Sequence, residues 1–592
     1  MGFTRNDKGG ILMANLLDFK ENDMLGRVTH VDTEQIIIEI ENATVMNKIC
    51  VGNLVAIETA KQHEKLIALI DKVTRKYIDN YVEEDDEIDE MMVSSADYIK
   101  VSIIGTYHSV YGSAHDLFKR GVEIFPQIES KCYGISGQNL QNFMNILGKD
   151  IDADKRLKIG SFMMDTAADA VLDGNKFFQR HAAVLGSTGS GKSWCIANIL
   201  EKASVLKYTN IIVFDMHGEY KSLAEGSEPI AQRFRIAGPG DLEVTKPDVL
   251  FLPYWLLNRE ELLSMILDRS DSNAPNQASR FTLHIRNLKE ETLKREGKTD
   301  TLKTFTVDSP IPFLINDLIQ QLIIDDTTKG VGKNGATVKG EWEGKLTRFI
   351  SRLETKIGDK TYGFMFQPTD EAQKYDWLGE VLCRLLGYAD GEKGIKIIDF
   401  SEVPSDVLPV VTGTLARLLY DVQFWMNPEK RTPFTIICDE AHLYLPVKED
   451  ADSVQKQALY NFERIAKEGR KYGVSILPVS QRPADVSKTI LSQCNNFIVL
   501  RLTNERDKGV IKNLLPDALK STIEFLPLLD VGEALVVGDA ILLPSKIVLD
   551  KPSDAHKPIS ATRNFWDEWD NKEPDNDAII EAIEALRKQC RV

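Results

Sequence analysis

Residues 186 to 193 read Gly-Ser-Thr-Gly-Ser-Gly-Lys-Ser, directly after the apolar run Ala182-Ala183-Val184-Leu185 and directly before a helix-prone stretch from Trp194 to Ala203. A buried strand, a glycine-rich turn and a helix in that order leave few folds open, because the turn must sit at the end of a sheet. Gly186, Gly189 and Gly191 permit a turn whose backbone N–H groups, with those of Ser187, Thr188 and Ser190, converge on one point. Lys192 adds a cation and Ser193 a hydroxyl at the helix start. That combination suits the polyphosphate of a nucleoside triphosphate: the amides meet the β-phosphate, Lys192 offsets charge on the β and γ oxygens, and Ser193 ligates Mg²⁺. The bland alternative, a glycine-rich turn that holds no nucleotide, does not account for the flanking strand and helix.

A chain of 592 residues exceeds one ordinary domain, and 43% hydrophobic with 27% charged residues allows large cores. No apolar stretch approaches the roughly 18 residues of a membrane span, and Arg5, Asp7 and Lys8 near the start leave no apolar signal region. A cytoplasmic protein without membrane contact is expected. The seven cysteines are scattered, so neither structural zinc nor a disulfide framework is expected. A net charge of −17 argues against a surface that grips nucleic acid all over. It leaves open a ring whose basic residues line only the channel.

Short β-prone runs at Gly26-Arg27-Val28, Ile36 to Ile40, Lys48 to Val55 and Tyr98 to Gly105 predict a small β domain over residues 23 to about 110, plausibly a barrel. The acidic run Val82 to Met91 reads as a solvated loop, with a basic partner as the alternative. After a connecting region, Ile211 to Phe214, Ile395 to Ile398, Phe434 to Cys438 and Val474 to Val479 are buried strands, three of them closing on acids. Lys192 and Asp439 lie farther apart than a minimal mononucleotide core requires. The segments Leu252 to Leu267, Leu314 to Ile323 and Trp342 to Lys356 have helical spacing and predict a helical bundle inserted between them. A helix is expected over Val407 to Trp425 and another over Gln455 to Tyr472, stopped at Gly473. Trp566 and Trp569, among many acids, mark a C-terminal arm that packs on another surface.

Cleavage of a phosphoanhydride needs a cradle, a metal, a positioned water and added positive charge. Asp439 is the candidate metal ligand beside Ser193, and Glu440 the candidate to orient or deprotonate water. Gln481, at the end of the next strand, is a candidate sensor of the γ-phosphate, against a plain surface glutamine. Arg464 and Arg470 are candidates to reach a neighbouring subunit's nucleotide, against a solvated helix face. Asp215, His217 and Glu219 are candidates to bind metal or report the nucleotide state, although His217 by itself suits a turn or packing role.

Taken together, Arg180-His181, Gly186 to Ser193, Asp215 to Tyr220, Asp439-Glu440-Ala441-His442, Glu468 to Gly473 and Ser480-Gln481-Arg482-Pro483 resemble, in order, the motifs of the HerA family of hexameric DNA translocases, relatives of FtsK-type motors. The resemblance implies an α/β fold with a RecA-like P-loop NTPase core and a helical-bundle insertion, preceded by a HAS-type β-barrel. The domains expected are a barrel at 1–110, a connecting region at 111–160, the core at 161–245 and 386–550, the insertion at 246–385 and a bracing arm at 551–592. It also implies ATP and Mg²⁺ between subunits of a homohexamer around double-stranded DNA. Lys192, Ser193, Asp439, Glu440 and Gln481 would act as assigned above, Arg464 or Arg470 would act from the adjacent subunit, and Arg180 would approach the nucleotide. Relatives of this kind work with an effector at the barrel face, a nuclease or a sirtuin-like NAD hydrolase, in DNA end processing or antiphage defence. The competing class is a ring scaffold that binds ATP and regulates such an effector with little translocation. Channel contacts are unreadable, since Lys356, Lys360 and Arg431 could point anywhere.

Overall fold

A computed structural model describes residues 17–32, 35–41, 46, 49–61, 63–80, 92–109, 117–122, 124–149, 151–243, 246–331, 336–387, 393–515, 520–559 and 564–589. The acidic run Val82 to Met91 lies outside the described residues. The chain forms two units, one of Met1–Phe177, Val184–Cys195 and Asn495–Lys551, the other of Phe178–Ala183, Ile196–Cys494 and Pro552–Val592.

In the first unit, Ile36 and Ile38 are fully buried while their neighbours are half-buried, the period-two pattern of a strand with one face inward. Six antiparallel strands run in the order Ile36–Ile40, Met24–Val31, Lys131–Gly134, Leu54–Glu58, Glu64–Asn80 and Met92–His108, and the last pairs back to the first. The result is a closed barrel, which leaves no free sheet edge among these six. Val28, Val55, Ile57, Leu66, Ala68, Ile99, Val101 and Cys132 fill it. Gly26 is required by the close approach of two strands, since a Cβ there would stand 1.8 Å from the Glu39 carbonyl oxygen. The stretch expected only to connect thus supplies one barrel strand, and its helix Gly137–Lys149 buries Leu140, Phe143 and Ile146 against Leu54, Ile67, Phe118 and Leu543.

An antiparallel sheet in the same unit runs Asn496–Leu500, Glu533–Gly538, Ser545–Leu549, Arg156–Phe162 and Asp165–Asp173. Arg120 ties the barrel side to it by donating to the carbonyls of Gly538, Ile541 and Leu542.

The second unit holds a parallel sheet in the order Val249–Leu250, Ala231–Ile236, Ile395–Asp399, Ile211–Asp215, Phe434–Cys438 and Val474–Ser480. The four strands Ile395–Asp399, Ile211–Asp215, Phe434–Cys438 and Val474–Ser480 are buried at every position, as continuous apolar runs in a parallel sheet require. Leu408–Trp425 and Ser453–Glu468 are long helices. The expected insertion is helical: Arg259–Ile266, Ala274–Arg295, Ile315–Thr327, Thr347–Gly358 and Trp377–Leu386 are its main elements. A buried charge fixes its first helix. Glu261 receives Arg417 through two bonds of 2.9 Å and Asn461 at 3.0 Å, so one carboxylate joins three helices.

Beyond residue 551 the chain becomes a strap on this unit. Ser553 N donates to Glu201 at 2.9 Å, Ser222 Oγ to the Lys557 carbonyl at 2.6 Å, and Ile559 N to the Glu219 carbonyl at 2.8 Å. His556 Nε2 lies 2.7 Å from the Glu228 carbonyl. Helices Phe565–Asn571 and Asn576–Lys588 follow with no residue buried. Among the described residues no helix is long and apolar enough to cross a membrane.

Candidate nucleotide site

Leu185 ends its strand and the helix Lys192–Ser204 begins where the lysine of the motif stands. The turn between them needs left-handed backbone at Gly189 (φ 72°) and Gly191 (φ 106°), which glycine adopts without steric cost. A Cβ on Gly186 would meet Ser190 Oγ at 2.6 Å and Leu500 Cβ at 2.8 Å, so this glycine is a packing requirement. The loop is pinned from two sides: Ser187 N donates to the Arg501 carbonyl at 2.8 Å, and Gly532 N donates to the Ser190 carbonyl at 3.1 Å. Lys192 Nζ donates to the Ser187 carbonyl at 3.2 Å, curling the cation over the turn. Thr188 is exposed and Ser193 half-buried. Arg501 and Gly532 are supports of the loop that sequence reasoning missed. They act through backbone atoms and leave no side-chain signal.

In the parallel sheet of the second unit, adjacent strands end in step. Asp215 pairs with Asp399, and Phe214 with Cys438, which puts Asp215 and Asp439 at neighbouring strand ends, where open α/β sheets place their ligands. Asp215 Oδ1 accepts from the amides of His217, Gly218 and Glu219 at 3.2, 2.8 and 3.1 Å, and Oδ2 from Tyr220 at 3.1 Å. Burial nonetheless raises its pKa to about 6. His217 is exposed and contributes its amide to this turn, in keeping with a turn role.

Asp439 is buried, and its carboxyl stands well above the usual range, first because of burial and then because Asp215, Glu440 and Glu219 lie close. The same four acids raise the buried Tyr220 hydroxyl, after burial itself. Asp215, Glu219, Asp439 and Glu440 therefore converge on Tyr220. Among the described residues no group of three or more His, Cys, Asp or Glu side chains is arranged to hold a metal ion, and both Asp215 oxygens are already taken by amides.

Glu440 occupies a left-handed conformation (φ 43°), a costly one for a non-glycine residue and a mark of functional sites. Its Oε2 is 3.2 Å from His442 Nδ1, which lies 3.4 Å from Ser480 Oγ, immediately before Gln481. Gln481 is half-buried just past the strand end. Arg464 is engaged within its own chain, 3.6 Å from Asp421, 4.0 Å from Glu468 and over the Tyr420 ring at 4.9 Å. Arg470 is exposed and Arg180 half-buried.

Residues 157–419 match the family model "Helicase HerA, central domain". A probable helicase of Methanocaldococcus jannaschii is 27% identical over 446 residues, 75% of this chain and 75% of that protein. The DNA double-strand break repair helicase HerA of Pyrococcus furiosus is 25% identical over 421 residues, 66% of this chain and 69% of that protein. Among solved structures, VirB4 of Thermoanaerobacter pseudethanolicus covers 68% of this chain and 99% of its own, at 16% identity and a TM-score of 0.44. Over residues 157–419 the chain thus matches the central domain of HerA helicases, and over about two thirds or more of its length it is similar to helicases of that kind.

Proposed function

We propose that this chain is an ATP-hydrolysing motor that assembles as a homohexamer and draws double-stranded DNA through its channel. In this reading it docks an effector enzyme, a nuclease or a sirtuin-like NAD hydrolase, at the barrel, in DNA end processing or antiphage defence. The observation that carries the ATPase reading is the phosphate loop, complete in sequence and tied by backbone bonds to Arg501 and Gly532. Relatives described as DNA double-strand break repair helicases support the DNA substrate.

In this reading the loop amides and Lys192 bind the phosphates, and Arg180 approaches the nucleotide. Ser193 and Asp439 carry hard oxygens of the kind that would hold magnesium. Mg²⁺, when bound, supplies charge that stabilises the phosphate oxygens. Glu440 orients or deprotonates the attacking water, Gln481 reports the γ-phosphate, and Arg464 or Arg470 adds positive charge from the adjacent subunit.

The test is ATP turnover with and without linear duplex. Lys192→Ala loses nucleotide binding. Glu440→Gln keeps binding while turnover falls about 10²–10⁴-fold. DNA-stimulated turnover favours the motor; effector activation that survives Glu440→Gln without DNA stimulation favours the scaffold. A purified chain that ignores ATP with or without DNA overturns the reading.

A further inference from the structure

His181 stands immediately before the strand Ala182–Leu185 that leads into the phosphate loop. It is 4% exposed and held at φ 50°, a left-handed backbone unusual for histidine. Its Nδ1 accepts a hydrogen bond of 3.0 Å from Ile476 N, inside the strand Val474–Ser480. The ring also bonds the backbone of Ala466, in the last turn of the helix Ser453–Glu468. That helix leaves its final carbonyls without intrahelical donors, so the imidazole N–H serves as a cap for one of them. Burial lowers the ring's pKa to about 4, which keeps it neutral near pH 7, with one nitrogen accepting and the other donating.

Each of these two contacts leads to a group assigned to the reaction. The strand fixed at Ile476 runs to Ser480, and Gln481 follows it. The helix capped at Ala466 passes into the turn Gly469–Tyr472, which carries Arg470. Ordinary packing would be satisfied by an apolar residue in a relaxed conformation. Here one ring spans two elements from a strained backbone position.

We propose that His181 is a positioning residue for ATP turnover: its two ring nitrogens fix the strand that leads to Gln481 and the helix end that leads to Arg470 relative to each other. The inference rests on the ATPase reading above. His181 has no assigned contact with nucleotide, so its loss leaves binding intact and disturbs turnover. In that reading Gln481 acts in its own subunit, and Arg470 is one of the two candidates to act in the next.

The experiment compares His181→Ala, His181→Asn and His181→Gln in the full chain. Asparagine tolerates left-handed backbone and keeps an acceptor near the place of Nδ1, whereas glutamine has the reach to cap Ala466. Turnover is expressed per site titrated with a fluorescent, non-hydrolysable ATP analogue, so unfolded protein does not count. The expected result is a kcat about 10²-fold lower in the alanine variant, with analogue affinity and KM for ATP near wild type. The asparagine and glutamine variants each recover part of it. Where alanine fails to fold, the asparagine and glutamine variants carry the comparison. Wild-type kcat per titrated site in the variants that fold overturns the proposal. A wild-type chain that binds the analogue yet never turns ATP over overturns the ATPase reading itself.

Discussion

Both carboxylate oxygens of Asp215 are occupied by amides of its own turn, from His217 to Tyr220, so its immediate work is to hold that turn closed. Replacing it by alanine strips buried or half-buried N–H groups of their acceptor. The expected loss is about 2–3 kcal/mol, read as a lower urea midpoint at constant slope. Lys289 gives a second residue-scale test. It is 1% exposed, its Nζ donates to the carbonyls of Val307 and Ser309 at 2.7 and 2.6 Å, and burial lowers its pKa from 10.5 to about 7. Between those two values the unfolded chain binds more protons than the folded one, so stability rises with pH across that window, and the full penalty of the buried charge is felt below about 7. Melting curves at pH 7 and pH 9 should show that gain in the wild type, and Lys289→Met should flatten it.

At the scale of elements, the trio Glu261, Arg417 and Asn461 joins the insertion to the helices Leu408–Trp425 and Ser453–Glu468. Glu261→Ala takes two bonds from the buried Arg417 guanidinium, which keeps the Leu256 carbonyl and Asp421, and should cost about 3 kcal/mol. Adding Arg417→Ala should then cost far less than its effect alone, a non-additivity that a double-mutant cycle on chemical denaturation measures.

What could be read beforehand follows from the same physics. Ile211 to Phe214, Ile395 to Ile398, Phe434 to Cys438 and Val474 to Val479 are apolar on both faces because their sheet is covered on both sides, so each announces itself. Arg156–Phe162 alternates polar with apolar residues and reads mostly as connection, while Asp165–Asp173, inside the expected core, carries three aspartates and gives no strand signal. The phosphate loop was legible residue by residue, since its chemistry demands glycine and lysine at set spacings. Its supports at Arg501 and Gly532 were not, because a carbonyl or an amide belongs to every residue type alike. Nor could spacing show that Asp215, Glu219, Asp439 and Glu440 gather on Tyr220, which depends on strand order.

On the scale of the whole molecule, Trp566 and Trp569 are 80% and 74% exposed on helices that bury nothing. In the hexamer proposed above, this aromatic surface is the part of the arm that would meet a neighbour. Removal of residues 560–592 should reduce the mass of the assembly in native mass spectrometry while shifting the stability of the subunit by no more than about 0.5 kcal/mol. The strap that precedes these helices is anchored at Ile559 to the carbonyl of Glu219, next to Tyr220 in sequence. That bond is the last of the strap's anchors along the chain, so in the hexamer proposed above a pull on the tail would meet it before those at Lys557, His556 and Ser553.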